Sequence, residues 1–185
     1  MPVFKVAQDT RNGTSLHHDT VVQARTLHRP DTPRWIVLAR QDPPFLEFSS
    51  DPAAGLPLTS PENIAASLRP FNLIVCLTVL LDPARPTLTP SAAPEVLHYF
   101  RRADAALKPL PPDPGPIAFA AGDTYIALSP GVRRIAESAA IARFLHLRDD
   151  FNAEKLADAL LDHLLEFAGT DELPEDISAL VIEAR

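Results

Sequence analysis

The chain has 185 residues, enough for one domain with a sizeable core and too few for two comfortable ones. Hydrophobic residues make up 46% and charged residues 22%, a balance that excludes a disordered chain. The net charge of −7 argues against a nucleic-acid partner, because phosphate binding needs a basic face. The pairs Arg101-Arg102 and Arg133-Arg134 are short and isolated, and read as solvated surface.

Cys76 is the one cysteine, so no internal disulfide can form and a reducing compartment suits the chain. It lies inside the apolar run Leu73 to Leu81 and reads as a small core residue, not a nucleophile. Met1-Pro2-Val3-Phe4-Lys5 shows no charged-then-apolar signal pattern. No apolar stretch approaches the roughly 20 residues that span a bilayer. The expected location is the cytoplasm, with no membrane contact.

Twenty prolines fall mostly between apolar runs, where a fixed φ and a missing N–H suit strand ends and rigid turns. Taken in order, Phe4 to Ala7 predicts a short strand, and His18 to Leu27, loosely alternating and rich in Val and Thr, a second. Arg34 to Arg40, with Trp35-Ile36-Val37-Leu38, predicts a third, and Asp31-Thr32-Pro33 before it reads as a hairpin turn. Ser60-Pro61-Glu62 then signals a helix start: Ser60 at the N-cap, Pro61 at the first helical position and Asn63 at N3. Ile64, Ala65 and Leu68 give that helix an apolar face, and Pro70 ends it.

Phe71 to Leu81 predicts a strand buried on both faces, closed by a turn at Asp82-Pro83. Thr87 to Thr89, Val96 to Phe100 and Ala106 to Leu110 predict a meander of short strands, and Pro111 to Gly115 a rigid loop. Gly122-Asp123 is a turn before another buried strand, Thr124 to Leu128. The best-specified element comes late. Ala153, Leu156, Ala157, Leu160, Leu161, Leu164, Leu165 and Ala168 recur at helical spacing. Asn152 is the expected N-cap, Phe151 and Leu156 have the spacing of a hydrophobic staple, and Gly169 can take a positive φ past the end. Ile177 to Ile182 closes as a strand. Many strands, few helices and no regular βαβ alternation give a single α+β domain over residues 1–185 with mostly antiparallel sheets.

Polar clusters are few. In His17-His18-Asp19, alternation along a strand lets His17 and Asp19 share a side, as a metal site would require, although a polar strand start explains the run as well. Asp149-Asp150 and Glu175-Asp176 are paired carboxylates of the kind that hold hard cations, and equally the kind found in ordinary loops. His98, His146 and His163 have no sequence partner, and His28 reads as a turn residue. Serine elbows, phosphate-cradling glycine loops and zinc-type spacings are all missing.

The segment Gly122-Asp123-Thr124-Tyr125-Ile126-Ala127-Leu128-Ser129-Pro130-Gly131-Val132 resembles a stretch of the metal-dependent protein phosphatase 2C type, closest to its bacterial SpoIIE-like branch. There the pattern is Gly-Asp, a buried strand, then Thr-Asp-Gly-Val. Pro174-Glu175-Asp176-Ile177-Ser178 and the strand after it are similar to the family's Asp-Asp-Ile-Thr and closing strand. Phe71 to Leu81, Thr87-Leu88-Thr89 and Ala92-Ala93-Pro94 resemble its central strands and Ala-Gly-His-Pro-Pro segment. His17-His18-Asp19 falls where the family has Gly-Gly-Asp, and Arg34 to Asp42 where a strand runs into Asp-x-x-Gly-His-Gly. The resemblance spans nearly the whole chain and implies two packed, mostly antiparallel sheets flanked by helices. It also implies aspartates at the sheet edges holding two Mg²⁺ or Mn²⁺ ions, whose bridging water attacks phosphate.

The departures fall on the ligands. Asp19 matches the first aspartate, but Arg40 stands where the second belongs, with Asp42 two residues late and Pro43-Pro44 following. Pro130 stands where Thr-Asp-Gly has its aspartate, and Glu175 replaces the first aspartate of the last motif, next to Asp176. The set left for metal is Asp19, Asp42, Glu175 and Asp176. An arginine among them opposes two dications by Coulomb repulsion. The expectation is therefore a phosphatase-like domain that has lost two-metal catalysis, needs no cofactor and binds or regulates a protein partner. Two alternatives stand beside it: a divergent active serine/threonine phosphatase using Mg or Mn, and an unrelated α+β binding domain.

Overall fold

The computed structural model describes residues 4–14, 18–25, 32–42, 60–101, 108–148, 152–169 and 173–185. Its strands are β1 (Phe4–Arg11), β2 (His18–Arg25), β3 (Arg34–Gln41), β4 (Leu73–Asp82), β5 (Thr87–Ala92), β6 (Leu97–Arg101), β7 (Lys108–Pro109), β8 (Ile117–Ala118), β9 (Thr124–Leu128) and β10 (Ile177–Ala184). Its helices are α1 (Pro61–Leu68), α2 (Ser138–His146) and α3 (Ala153–Ala168). One sheet has the order β1-β10-β9-β6-β7 and the other β2-β3-β4-β5-β8. Every pairing is antiparallel.

Alternation along the strands sorts the side chains into layers, since successive residues point to opposite faces. Ile36, Leu38, Leu77, Val79, Leu81 and Leu88 of one sheet meet Tyr125, Ala127, Leu180 and Ile182 of the other in a shared core. The opposite face of the first sheet, with Leu97, Tyr99, Ile126, Leu128, Ala179 and Val181, packs on α2 and α3. The opposite face of the second sheet, with Trp35, Val37 and Ala39, packs on Ile64 and Leu68 of α1. The result is helix, sheet, sheet, helix, the α+β sandwich expected.

The helix signals act as the residues dictate. Ser60 Oγ accepts from Asn63 N–H, and a 3₁₀ turn, Arg69–Phe71, carries the chain through Pro70 to β4. Asn152 Oδ1 accepts from Lys155 N–H, and Gly169 ends α3 at φ 64°. Phe151, the other half of the expected staple, lies outside the described residues, as do His17, His28, Asp31, Asp149 and Asp150. Helix α2 was not foreseen. Its N-cap, Glu137, makes no side-chain capping bond, and its buried face is only Ile141, Phe144 and Leu145, so neither the start nor the period stood out.

The expected meander is corrected. β5 stays in the second sheet, pairing β4 and β8, whereas β6 crosses to the first sheet and pairs β9 and β7. β5 also runs three residues further than expected, through Pro90. Pro90 is tolerated because β8 pairs only Thr87 and Leu88, so no ladder N–H is needed there.

A one-residue bulge sets the register of β4. Leu38 faces Leu77 and Ala39 faces Val75, leaving Cys76 as the extra residue. Cys76 O accepts from Ala93 N–H at 2.8 Å, so the bulged carbonyl is satisfied. The bulge lets Leu73 and Val75 face α1 while Leu77, Val79 and Leu81 face the other sheet. Cys76 is buried as expected, and burial pushes its thiol up to about 11.

Two glycines let loops close over the end of the sandwich. A Cβ on Gly131 would collide with the Asp176 carbonyl oxygen, and one on Gly13 with the Glu175 backbone. Both are close-approach positions where only hydrogen fits.

Gly131→Ala should therefore destabilise the fold by about 1–3 kcal/mol, lowering Tm by roughly 3–8 °C in a thermal melt. Cys76 should react with 5,5′-dithiobis(2-nitrobenzoate) at pH 8 at least about a hundredfold more slowly in the native chain than in the urea-unfolded one, measured at 412 nm. Equal rates would contradict its burial.

Candidate functional site

The strands that build the shared core turn polar together at one end. In β3, Ile36 and Leu38 point between the sheets, and the next residue in that register is Arg40. In β9, Tyr125 and Ala127 are followed in the same way by Ser129, and in β10 Ile182 and Leu180 are preceded by Ser178 and Asp176. In β1, Phe4 and Val6 lead to Thr10. Asp19 is the cross-strand partner of Arg40. The polar end is thus produced by period-2 alternation, carried past the last apolar residue on each strand.

Within it, Arg40 lies between two carboxylates. Its Nε is 3.8 Å from Asp19 Oδ1 and its Nη2 is 3.3 Å from Glu175 Oε2. Arg134, from the 3₁₀ turn Pro130–Arg134, reaches the other Glu175 oxygen at 3.0 Å. The Arg134 side chain is 62% exposed, so the solvated surface read from the sequence holds for its position, but it also has a partner. Glu175 is clamped by two guanidinium groups.

Asp176 has a different use. Its Oδ1 accepts from Gly13 N–H at 2.6 Å and its Oδ2 from Asp19 N–H at 3.1 Å. These charge-assisted bonds tie the start of β10 to Gly13, just after β1, and to Asp19 on β2. Ser129 Oγ accepts from Ser178 N–H at 2.9 Å, and the Thr10 and Ser178 hydroxyls share a 2.8 Å hydrogen bond.

The Asp19 side chain is only 2% exposed. Burial raises its carboxyl above the ordinary aspartate range. The neighbouring Ser129 and Ser178 hydroxyls and the Arg40 charge pull it back, and the Asp176 charge adds to the rise. Even so, Asp19 Oδ2 completes no hydrogen bond among the described residues.

Of the four candidate ligands, Asp19, Glu175 and Asp176 come to this end of the sandwich. Asp42 follows the last residue of β3, and its N–H donates to Asn72 O at 3.0 Å. Among the described residues, no three of His, Cys, Asp and Glu converge to hold a metal ion. Two arginines sit among the carboxylates, and the Asp176 oxygens are engaged by backbone N–H groups. This donor set does not fit a pair of dications, because the repulsion between a guanidinium and a dication a few ångströms away is uncompensated. Arg134, Ser129, Ser178, Thr10 and Gly13 were missed in the sequence. The strand serines and the threonine had a signal: each continues the inward register of an apolar alternation. Arg134 had none, since a turn residue has no such register.

No sequence-family profile matches the chain, and no curated protein does. Solved structures do. The chain is similar to the SiaA-PP2C domain of Pseudomonas aeruginosa, with a TM-score of 0.66 at 15% identity, over 96% of this chain and 84% of that one. It is similar to the phosphatase domain of the cell fate determinant SpoIIE from Bacillus subtilis, with a TM-score of 0.61 at 11% identity, over 100% and 94%. It is similar to the catalytic domain of the serine/threonine phosphatase PstP in complex with two manganese ions, with a TM-score of 0.58 at 13% identity, over 100% and 99%. At these identities the likeness is one of fold. The chain has the fold of the bacterial protein phosphatase 2C-type domains, as the resemblance read from its sequence implied.

Proposed function

We propose that this chain is a pseudophosphatase: a phosphatase-fold domain that does not perform two-metal hydrolysis and acts by binding or regulating a protein. The observation that carries this reading is the Arg40 guanidinium between Asp19 and Glu175, at 3.8 and 3.3 Å. A fixed cation neutralises the carboxylates that a mobile one would otherwise hold. Arg134 on Glu175 and Pro130 at a position without a ligating side chain support the same reading. The site then keeps its shape by internal ion pairing, and its surface is free to serve recognition. A cytoplasmic location agrees with the lone buried Cys76, and no helix among the described residues is long and apolar enough to cross a membrane.

A second reading has one observation in its favour. Asp19 Oδ2 is buried and completes no hydrogen bond among the described residues, as a cation-ligating oxygen would. Under it the chain is a divergent Mg- or Mn-dependent phosphatase using Asp19, Asp42, Glu175 and Asp176.

Two measurements separate the readings. Millimolar Mn²⁺ should leave the Tm of the unsubstituted chain unchanged, and p-nitrophenyl phosphate hydrolysis should not exceed that of Asp19→Asn. Turnover that saturates with Mn²⁺ and disappears in Asp19→Asn would establish the active enzyme instead. Arg40→Ala should lose about 3 kcal/mol at neutral pH, because it strands the buried Asp19 charge and leaves Glu175 to Arg134. That variant, unlike the parent, should regain stability when Mn²⁺ is added, by preferential binding to the folded state.

A further inference from the structure

At the edge of the first sheet, β7 pairs only Tyr99 and Phe100 of β6, and Leu110 N–H adds one further bond to His98 O at 3.2 Å. Beyond that bond, the start of β6, the Ala93-Pro94 turn and the start of α2 border a cavity of about 240 Å³. It shares no residue with the polar end described above. Val96, Leu97, Tyr99 and Leu110 form much of its apolar wall. Pro94, Pro109 and Pro112 complete that wall, three of the prolines that the sequence places between apolar runs. A fixed φ at three points makes the wall preformed, so a ligand does not have to order it.

The polar groups of this cavity are donors that the chain leaves unused. Arg133, from the 3₁₀ turn Pro130–Arg134, lines it and forms no ion pair among the described residues. Ser138 lines it as the first residue of α2. The N-cap before it, Glu137, makes no side-chain capping bond, and Ala140 and Ile141 N–H both donate to Glu137 O, at 3.0 and 3.2 Å. The N–H groups of Ser138 and Ala139 come before that first turn closes and have no acceptor within the helix. Tyr99 ties the two sides together: its hydroxyl donates to Ser138 O at 3.2 Å, and the Arg133 charge acts on its phenol. A third donor is buried. His98 lines the cavity at 6% exposure. The buried Tyr125 hydroxyl lies 3.5 Å from His98 Nδ1, which leaves the ring proton to Nε2, and Nε2 completes no hydrogen bond among the described residues. Burial lowers the pKa of this imidazole and keeps it neutral. No carboxylate lines the cavity: Glu95, Asp113 and Glu137 flank lining residues in sequence, but they are exposed and form no part of the wall. Residues 102–107 lie outside the described residues, and the donors named here need none of them.

We infer that this cavity binds a small carboxylic acid with an apolar body, its carboxylate accepting from Arg133 and Ser138 and its body seated among Val96, Leu97, His98 and Leu110. Unused donors without an unused acceptor call for a ligand that accepts, and a guanidinium beside a helix N-terminus suits an anionic oxygen. One arginine fork matches one carboxylate. A buried imidazole N–H with no partner in the chain is the kind of group that a ligand or water satisfies. The size sets the body. A cavity of about 150 Å³ takes benzene, so this one takes roughly ten non-hydrogen atoms, fewer than a nucleotide has. The inference is independent of the pseudophosphatase reading, because an active enzyme would carry the same cavity, and no part of its test involves metal or turnover.

The test titrates the isotope-labelled full chain with sodium phenylacetate, which is sized to the cavity, and follows the backbone amides by nuclear magnetic resonance. Phenylacetate should bind with a Kd of about 1 mM or below and move the amides of Val96, Leu97, Tyr99, Leu110 and Ser138. Phenylacetamide, the neutral isostere, and acetate, the head without a body, should each bind at least about tenfold more weakly. Arg133→Ala and Ser138→Pro should each weaken phenylacetate at least about tenfold. Proline suits the first position of a helix, and Glu137 before it is already extended at φ −78° and ψ 146°, so Ser138→Pro removes the hydroxyl and the N–H without opposing the fold. Arg85→Ala, on the exposed turn between β4 and β5, should change nothing. Unchanged circular dichroism checks that the variants fold. Any of the following overturns the inference: millimolar phenylacetate moves no amide; phenylacetamide or acetate binds as tightly as phenylacetate; Arg133→Ala and Ser138→Pro leave the affinity unchanged; or the shifts fall on residues away from the cavity. A short peptide with a free C-terminal phenylalanine that binds at least about tenfold more tightly than phenylacetate also overturns it, in favour of a protein chain end as the occupant.

Discussion

A carboxylate placed between two packed sheets must be compensated, and at the polar end of this sandwich the compensation comes from Arg40. Asp19 is almost fully buried, Glu175 nearly so, and both face one guanidinium. Without a cation there, like charges would repel in a medium that screens them poorly. The architecture around the pair follows from that need. β2 and β3 pair in the register that sets Asp19 opposite Arg40, and β10 begins where Glu175 can reach it from the other sheet. Asp176, one residue on, bonds the backbone of Gly13 and Asp19 and keeps the two sheets from parting at this end.

The same need connects the fold to its function. A phosphatase of this fold would meet the charge of its carboxylates with metal ions. Here Arg40 lies between Asp19 and Glu175, and under the proposed reading that ion pairing makes the polar end a structural joint.

Much of the architecture was legible because period and capping are local. Asn152, the apolar spacing of α3 and Gly169 located the last helix within a residue at each end. The buried strands were visible as the apolar runs Thr124 to Leu128 and Ile177 to Ile182, the second running on to Ala184 in the fold. What failed was non-local. Thr87 to Leu110 reads as one meander because nothing in the residues says that β6 leaves for the other sheet. α2 was missed because its cap is silent and its apolar face covers only three buried residues. In the site, Asp19, Arg40, Glu175 and Asp176 could be singled out by the family resemblance, but their grouping is tertiary. The pairing of Arg134 with Glu175 joins residues 41 apart in sequence through a turn that has no periodicity.

The place of β10 has a consequence in time. In the first sheet it lies between β1 and β9, so Phe4 pairs with Ala184 and Arg11 with Ile177. A ribosome delivers β1 first, and its partner only after about 165 more residues have been made, on the order of ten seconds or more at ordinary elongation rates. Until then β1 has an unpaired edge, and the groups that close the Arg40 pair and the Asp176 clasp are still in the tunnel or not yet synthesised. The nascent chain can assemble β2 to β5, but the two-sheet core must wait for the last strand. A nascent chain that has not yet released β10 therefore keeps the β1 edge open, and that unfinished form is the one exposed to chaperones and to aggregation.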